Sequence, residues 1–543
     1  MVNPSTELAN SIVKALLTIG VKEAVICPGS RSAPVAWQLA DLANKNRLRL
    51  HTRIDEREAG FLALGIAKAT RRPVPVLVTS GTAVANLLPS VVEAFHSGIP
   101  LIVISADRPE NTRGNSAPQT TNQVGIFSNF VKAQVDTAKP TDEILDALKK
   151  SVEKYFGPIH INAQFDLPLM PQELETDMGE VEGWKAEAES LPVHQETIEL
   201  PAKGLVVIGD AVSGAELSEL ENLARECGYP IIWEPTAQLT TSDNVIDHGA
   251  LILQTQKTPT PEVVISAGLV GLSRSVLNLF KVTPNHIAIH LSQSGPENPN
   301  PALTAKKIFS YVPKVKTQVD STWFGLWRKL SDEANQVILS KLKTDTLTGP
   351  SAALELWNQI PSGCTLVVAP SWPIRHIELY AARRTDIETF GNRGVNGIDG
   401  LISTAVGISL TKPERTYLLI GDVAFLHGMG GLNISAPNQI PNLTVVVSDN
   451  DGSGIFSQLE QGSAKYQKYF EQIFGTPHGK DLWVIAESLG VPAARVTTKS
   501  ELAAALNRTN KIPGLHVIVC STGSRQSEQS LIEEIATELK ERI

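Results

Sequence analysis

Nine short runs of valine, isoleucine and leucine constrain the fold of this chain more than any other feature. They lie at 23–27, 74–79, 101–105, 205–208, 263–266, 365–368, 417–420, 443–448 and 515–520, and helix-like stretches separate them. Most are continuous apolar runs rather than alternating ones. That pattern suits parallel strands covered by helices on both faces. Strand–helix alternation along the whole chain therefore predicts an α/β fold of doubly wound parallel sheets.

The 543 residues suffice for roughly three domains of about 150–200 residues each. Two composition shifts read as linkers: the charged stretch 180–199, and 339–349 just before a helix beginning Pro350-Ser351. The expected domains are 1–185, 196–340 and 350–543. The first and third share a plan in which functional-looking loops follow strands, which is consistent with an old duplication. A net charge of −9 and the lack of any Lys/Arg run argue against nucleic-acid binding. No apolar run approaches the ~20 residues that span a membrane, and the N-terminal segment lacks a signal peptide's layout. The cysteines Cys27, Cys227, Cys364 and Cys520 are scattered without ligand-like spacing. Reduced thiols in a cytoplasmic enzyme are the expectation.

Several strand ends carry candidate chemistry. Pro28-Gly29-Ser30-Arg31-Ser32 follows the first strand, where Ser30 and Ser32 can cap the next helix. Arg31 opposes the positive end of that helix, a conflict an anionic ligand removes. Asp55, Glu56 and Glu58 open another helix, where acids are favourable without any function. Thr79-Ser80-Gly81-Thr82 either holds an anion on backbone amides or is simply a cap. Ala106-Asp107-Arg108-Pro109 offers a further arginine, which on its own reads as an exposed Arg–Asp pair. The loop 391–400, with Arg393 among glycines, allows a backbone to approach a ligand closely. His286 and His290 flank a strand-like run and would sit about 13 Å apart, too far for a metal pair. The Gly428–Gly431 cluster lacks a nucleotide-binding motif. The runs at 417–420 and 443–448 end in Gly421-Asp422-Val423-Ala424 and in Asn450-Asp451-Gly452. A carboxylate and an amide carbonyl at neighbouring strand ends form an oxygen-lined cup for a hard cation such as Mg²⁺, with diphosphate oxygens completing its shell.

Gly421-Asp422 through Ser448-Asp449-Asn450 resembles the metal–diphosphate motif of thiamine-diphosphate enzymes, usually written GDG…NN. Val423 stands in place of the third-position glycine and Asp449 in place of the first asparagine; the liganding positions are kept. With PGSRSAP, IDEREAGFLALGIAKAT, VTSGTAVANLLP, SADRP and GNRGVNGIDGLISTAVG, the chain is similar to the carboligases of that family that act in menaquinone biosynthesis. The resemblance covers both outer segments and is weak in the middle one.

The resemblance implies the three-domain fold of thiamine-diphosphate enzymes. An N-terminal pyrimidine-binding domain would carry the catalytic Glu56, and a C-terminal domain would bind diphosphate and metal. It implies thiamine diphosphate held by Glu56, Ser80, Ile398, Gly421, Val423, Ala424 and Ile455. Mg²⁺, or Mn²⁺ in its place, would sit on Asp422, Asn450 and Gly452. The reaction implied is decarboxylation of 2-oxoglutarate and 1,4-addition of the remaining fragment to isochorismate. Ser30, Arg31, Arg108, Gln119 and Arg274 would serve isochorismate. Ser371, Arg375 and Arg393 would serve the 2-oxoglutarate chain, with Phe456 walling the pocket. Guanidinium forks suit two dicarboxylate substrates. Some relatives carry Lys-Arg where Ser273-Arg274 stands, and an asparagine where Pro118 stands. A homodimer or homotetramer with shared sites is expected. Two alternatives are an acetolactate-synthase-type enzyme, which would lack these arginine motifs, and a non-catalytic paralogue, which would have lost Glu56 or the metal ligands.

Overall fold

The structure, a computed structural model, describes residues 3–543 except 172–178, 180, 185–195, 213, 239–241, 292–294, 296, 436 and 437. Most of the expected linker at 180–199 lies outside the described residues. All nine apolar runs are strands of three six-stranded sheets, parallel throughout.

The N-terminal sheet runs in the order Arg49–Thr52, Glu23–Ile26, Val74–Val78, Leu101–Asp107, Ile159–Gln164, Gln134–Thr137. The C-terminal sheet runs Glu388–Phe390, Thr365–Val368, Thr416–Gly421, Leu443–Asp449, Leu515–Ser521, Ala493–Val496. Numbered within each sheet, both orders are 2-1-3-4-6-5, so the two outer sheets share one topology. The middle sheet differs. It runs Val245–Ile246, Ile231–Trp233, Gly204–Ile208, Val263–Ala267, Asn285–Ile289, Ala305–Phe309, or 3-2-1-4-5-6. That order reverses direction between its first and fourth strands, leaving a crevice at their C-terminal ends.

Alternate residues of each strand point to opposite faces, so each continuous apolar run feeds two cores. In the C-terminal sheet, Leu418, Ile420, Val445 and Val447 join a core shared with Val25, Val76 and Val103 of the N-terminal sheet. Tyr417, Leu419 and Val446 join one shared with Val206, Ile208, Val263 and Ile265 of the middle sheet. The C-terminal sheet is thus the central layer. Helices Glu56–Thr70 and Leu401–Ser409 lie in the first of these shared cores. Helix Ser321–Lys341 runs further than the linker expected from 339, because Val337 and Ile338 are buried on its apolar face. Among the described residues, no helix is long and apolar enough to cross a membrane.

His286 is a core residue rather than a metal ligand: its Nε2 lies 2.8 Å from Ser266 Oγ. His290 stacks on Tyr155. Ser32 precedes helix Ala33–Asn44 but does not cap it; its hydroxyl donates to the Gly29 carbonyl at 3.0 Å.

Candidate active site

A cleft of about 360 Å³ opens at the C-terminal ends of the middle strands of the C-terminal sheet. Strand Thr416–Gly421 delivers Asp422 into it, and Leu443–Asp449 delivers Asn450. The Asp422 carboxylate is held on both oxygens. Oδ1 accepts from the Val423 amide at 2.7 Å, and Oδ2 from the Gly452 amide at 2.7 Å and the Asn450 amide at 3.3 Å. The Val423 N–H is thus engaged by Asp422, and Val423 itself lines the cleft. Ala424 also lines the cleft.

Asn450 is fixed from behind. Its Nδ2 donates to Glu528 Oε2 at 2.9 Å, so its Oδ1 is turned the other way, where it is buried without a hydrogen-bond partner. A buried, unpartnered carbonyl oxygen beside a pinned carboxylate is a donor set suited to a hard cation. Gly421 adds to the fit: a Cβ there would meet nothing within 4 Å, so the glycine keeps that wall of the cleft open. Gly452 is required for a different reason. Its φ is +133°, and a Cβ would lie 2.2 Å from the Gly475 carbonyl oxygen. These residues fit a divalent cation.

The opposite wall is cationic. Arg375 and Arg393 line the cleft with Ser371, Ile398, Ile455 and Phe456. Ser371 has φ +72°, the sparsely populated backbone that gathers at functional sites, and its carbonyl accepts from Arg375 Nη1 at 2.8 Å. Burial pushes the Arg375 guanidinium down from its usual range. Behind it, burial and the nearby Glu234 carboxylate push Glu378 up to about 8. Arg274 opens helix Arg274–Val282 as an exposed residue and is absent from the cleft lining, although Gly271 and Leu272 before it are part of that lining.

A second constellation forms on the N-terminal sheet. Arg108 Nη1 donates to Ser80 Oγ at 3.0 Å and to the Gln119 carbonyl at 2.8 Å. The expected exposed Arg–Asp pair is absent, since Asp107 is buried and pairs with Arg113 at 2.9 Å. Arg31 donates to the Phe165 carbonyl at 2.8 Å, and burial and the neighbouring Arg108 hold its pKa below the usual value. Ser30 is exposed beside it. The acids of the following helix now separate. Asp55 caps the helix, accepting from the Arg57 and Glu58 amides. Glu58 is buried, accepts from Ser403 Oγ at 2.5 Å, and is pushed up to about 7 by burial. Glu56 is neither cap nor core; its carboxylate takes a 3.3 Å hydrogen bond from Asn86. Among the described residues lining the cleft, none comes from the N-terminal sheet or its loops. Within one chain, Glu56, Ser80 and Arg108 therefore lie outside the cleft that Asp422 and Arg393 line.

Three residues were missed by sequence reasoning. Glu528 and His478 are 78 and 56 positions from their partners Asn450 and Asp422. His478 Nε2 stands 3.4 Å from both Asp422 Oδ2 and Asp449 Oδ1, and the hydrogen bond to Asp422 raises its pKa. Asp449 lines an adjoining depression with His478, and ligand atoms of Asp422, Asp449 and His478 all lie within 4.8 Å of one another. The asparagine-to-aspartate departure therefore sets a second carboxylate beside that of Asp422. The third is Glu234, from the middle sheet. No local motif marks any of them.

A family model described as thiamine pyrophosphate enzyme, N-terminal TPP binding domain, matches residues 6–126. A second, described as thiamine pyrophosphate enzyme, C-terminal TPP binding domain, matches residues 375–520. A 2-succinyl-5-enolpyruvyl-6-hydroxy-3-cyclohexene-1-carboxylate synthase of Saccharopolyspora erythraea is 36% identical over 539 residues, 95% of each chain. The chain belongs to this synthase family. Synthases of the same name from Nocardioides sp. and Thermobifida fusca are 37% and 36% identical, over 92% and 93% of this chain and 92% and 94% of theirs. Benzoylformate decarboxylase from Polynucleobacter necessarius superposes with a TM-score of 0.70 at 16% identity, covering 95% of this chain and 98% of that one. At that identity the likeness is one of fold. One family match contains Glu56, Ser80 and Arg108, and the other contains Asp422 and Asn450.

Proposed function

We propose that this chain decarboxylates 2-oxoglutarate and adds the remaining four-carbon fragment, in 1,4 fashion, to isochorismate, giving 2-succinyl-5-enolpyruvyl-6-hydroxy-3-cyclohexene-1-carboxylate for menaquinone biosynthesis. The observation that carries this reading is the pairing of a cation cup with an arginine wall in one cleft. Asp422, Asn450 and the Gly452 carbonyl would hold Mg²⁺ or Mn²⁺, and the open wall at Gly421 leaves room for a diphosphate. Thiamine diphosphate, when bound, supplies a carbanion that attacks a 2-oxo acid and accepts the electrons left as CO₂ departs. Ile398 would support that cofactor from below. Glu56 would hold a proton at the aminopyrimidine ring nitrogen.

Arg375, Arg393 and the strained Ser371 would bind the carboxylates of 2-oxoglutarate. Phe456 and Ile455 would shield the reacting carbon from water. Arg31 and Arg108, two like charges held side by side, suit the carboxylates of isochorismate; Ser30, Gln119 and Arg274 would complete that set. Because Glu56 lies outside the cleft of its own chain, a homodimer is the smallest complete enzyme, with Glu56 of a second copy closing the site. The four cysteines are free and buried, which agrees with a cytoplasmic enzyme.

The test combines the protein, thiamine diphosphate, Mg²⁺, 2-oxoglutarate and isochorismate and follows isochorismate loss. Consumption dependent on every component is expected. Turnover of pyruvate alone, with isochorismate untouched, would instead indicate an acetolactate-synthase-type enzyme. Glu56→Gln is expected to lower kcat by at least about a hundredfold, the scale of a lost proton-transfer group, while cofactor affinity stays within a few-fold.

A further inference from the structure

The middle sheet has the strand order whose reversal point, at the C-terminal strand ends, commonly holds a ligand. In this chain a carboxylate crosses that crevice. Glu234 directly follows strand Ile231–Trp233, on one side of strand Gly204–Ile208. Its side chain reaches the turn after Val263–Ala267, on the other side. Oε1 accepts from the Gly271 amide at 2.6 Å and the Leu272 amide at 2.8 Å. Oε2 has no hydrogen-bond partner and faces Arg393 Nη2 at 3.8 Å. Glu234 is 0% exposed. Leaving a carboxylate there would be costly without the two amides and the guanidinium.

Glu234 meets both arginines of the cleft, one across open space and one through the turn it holds. Arg393 faces its free oxygen. Arg375 Nη2 donates at 3.4 Å to the carbonyl of Leu272, whose amide Glu234 holds. The 3.8 Å separation matters in its own right. A guanidinium forked onto Glu234 at hydrogen-bond distance would have fewer donors left for a ligand. Here Arg393 feels the carboxylate's field but stays unsaturated: its Nε is buried without a partner, and Nη1 reaches only Asn396. The arrangement keeps a buried cation aimed and its donors available.

We propose that Glu234 is a positioning residue through which the middle domain sets the preference of the cleft for a 2-oxo acid bearing a second, distal carboxylate. The inference rests on the proposed function, since it takes the Arg375–Arg393 wall as the 2-oxo acid site.

Glu234→Gln tests it, because a glutamine oxygen still accepts from both amides while the charge facing Arg393 is lost. Decarboxylation is measured with 2-oxoglutarate and with 2-oxobutanoate, which has the same 2-oxo acid head and no distal carboxylate. The expected result is a KM for 2-oxoglutarate raised about tenfold, kcat within about threefold, and 2-oxobutanoate kinetics little changed. Glu234→Asp, which keeps the charge, should retain more of the preference than Glu234→Gln. Thiamine diphosphate affinity and the thermal midpoint should match the parent. Equal losses on both acids, an unchanged KM, or equal behaviour of the Asp and Gln variants would overturn the proposal and reduce Glu234 to an interdomain strut. The parent enzyme separates the two readings. If it does not decarboxylate 2-oxoglutarate, the proposed function falls and this inference with it. If it does and Glu234→Gln keeps the preference, only the inference falls.

Discussion

At the scale of single residues, the cation cup depends on which way one amide points. Asn450 offers either an oxygen or an NH₂ to the cleft, and the two have opposite effects on a cation. Glu528 decides the matter by accepting from Nδ2 at 2.9 Å. Glu528 is itself buried, with His376 Nε2 at 3.2 Å from its other oxygen. Removing such an outer partner typically lowers metal affinity ten- to a hundredfold. Glu528→Ala is therefore expected to raise the dissociation constant for Mn²⁺, read by electron paramagnetic resonance of the free ion, by about that factor. A dissociation constant equal to that of the parent would show that Asn450 needs no outside anchor. Asp422 and Asn450 are legible in the sequence because each ends a continuous apolar strand. Glu528 is not legible, since it comes from helix Arg525–Arg542, whose own pattern is that of a solvated helix with one buried stripe.

At the scale of elements, helices Glu56–Thr70 and Leu401–Ser409 cross in near backbone contact. A Cβ on Gly65 would lie 2.2 Å from the Thr404 carbonyl oxygen, and one on Gly407 would lie 2.3 Å from that of Leu62. In the sequence these are simply glycines inside two helical patterns, each weakening its helix slightly. Their reason is tertiary, because the obstructing atoms are backbone of the other helix and cannot rotate away. Gly407→Ala should gain up to about 1 kcal/mol of helix propensity and lose about 1–3 kcal/mol to overpacking. A lowered denaturation midpoint in urea is expected; an unchanged or raised midpoint would mean that the helices can separate without cost. The same crossing sorts the acids of the first helix. Glu58 is drawn inward to Ser403 and Asp55 is spent as the cap, leaving Glu56 directed outward.

At the scale of the whole molecule, the C-terminal sheet shares one apolar core with each of the other two sheets. This stacking brings the turn at Gly271-Leu272 to the cleft but not Glu56. If each complete site takes Glu56 from one chain and Asp422 from another, two inactive variants should rescue each other. In a mixed dimer of Glu56→Gln with Asp422→Asn, one site carries both defects and the other carries neither. Random assortment of a symmetric dimer then predicts about one quarter of parental activity. The measurement is turnover after co-expression of the two variants. No recovery, with mixed dimers demonstrated by differential tagging, would place both halves of the site in one chain.

The sequence alone determined the parallel α/β class, the positions of all nine apolar strands, the strand ends carrying Asp422, Asn450 and Arg108, and the glycine-rich loop carrying Arg393. These are local consequences of continuous apolar runs and of the polar residues that must follow where a strand leaves the core. The tertiary structure decided what depends on neighbours far apart in the chain. It aimed Asn450 through Glu528, turned Asp449 toward His478, set Glu234 against Arg393, and kept Glu56 out of its own cleft. Burial, the hydrogen bonds it enforces and the meeting of charges across sheets are properties of packing. No local pattern encodes which carboxylate will face which arginine.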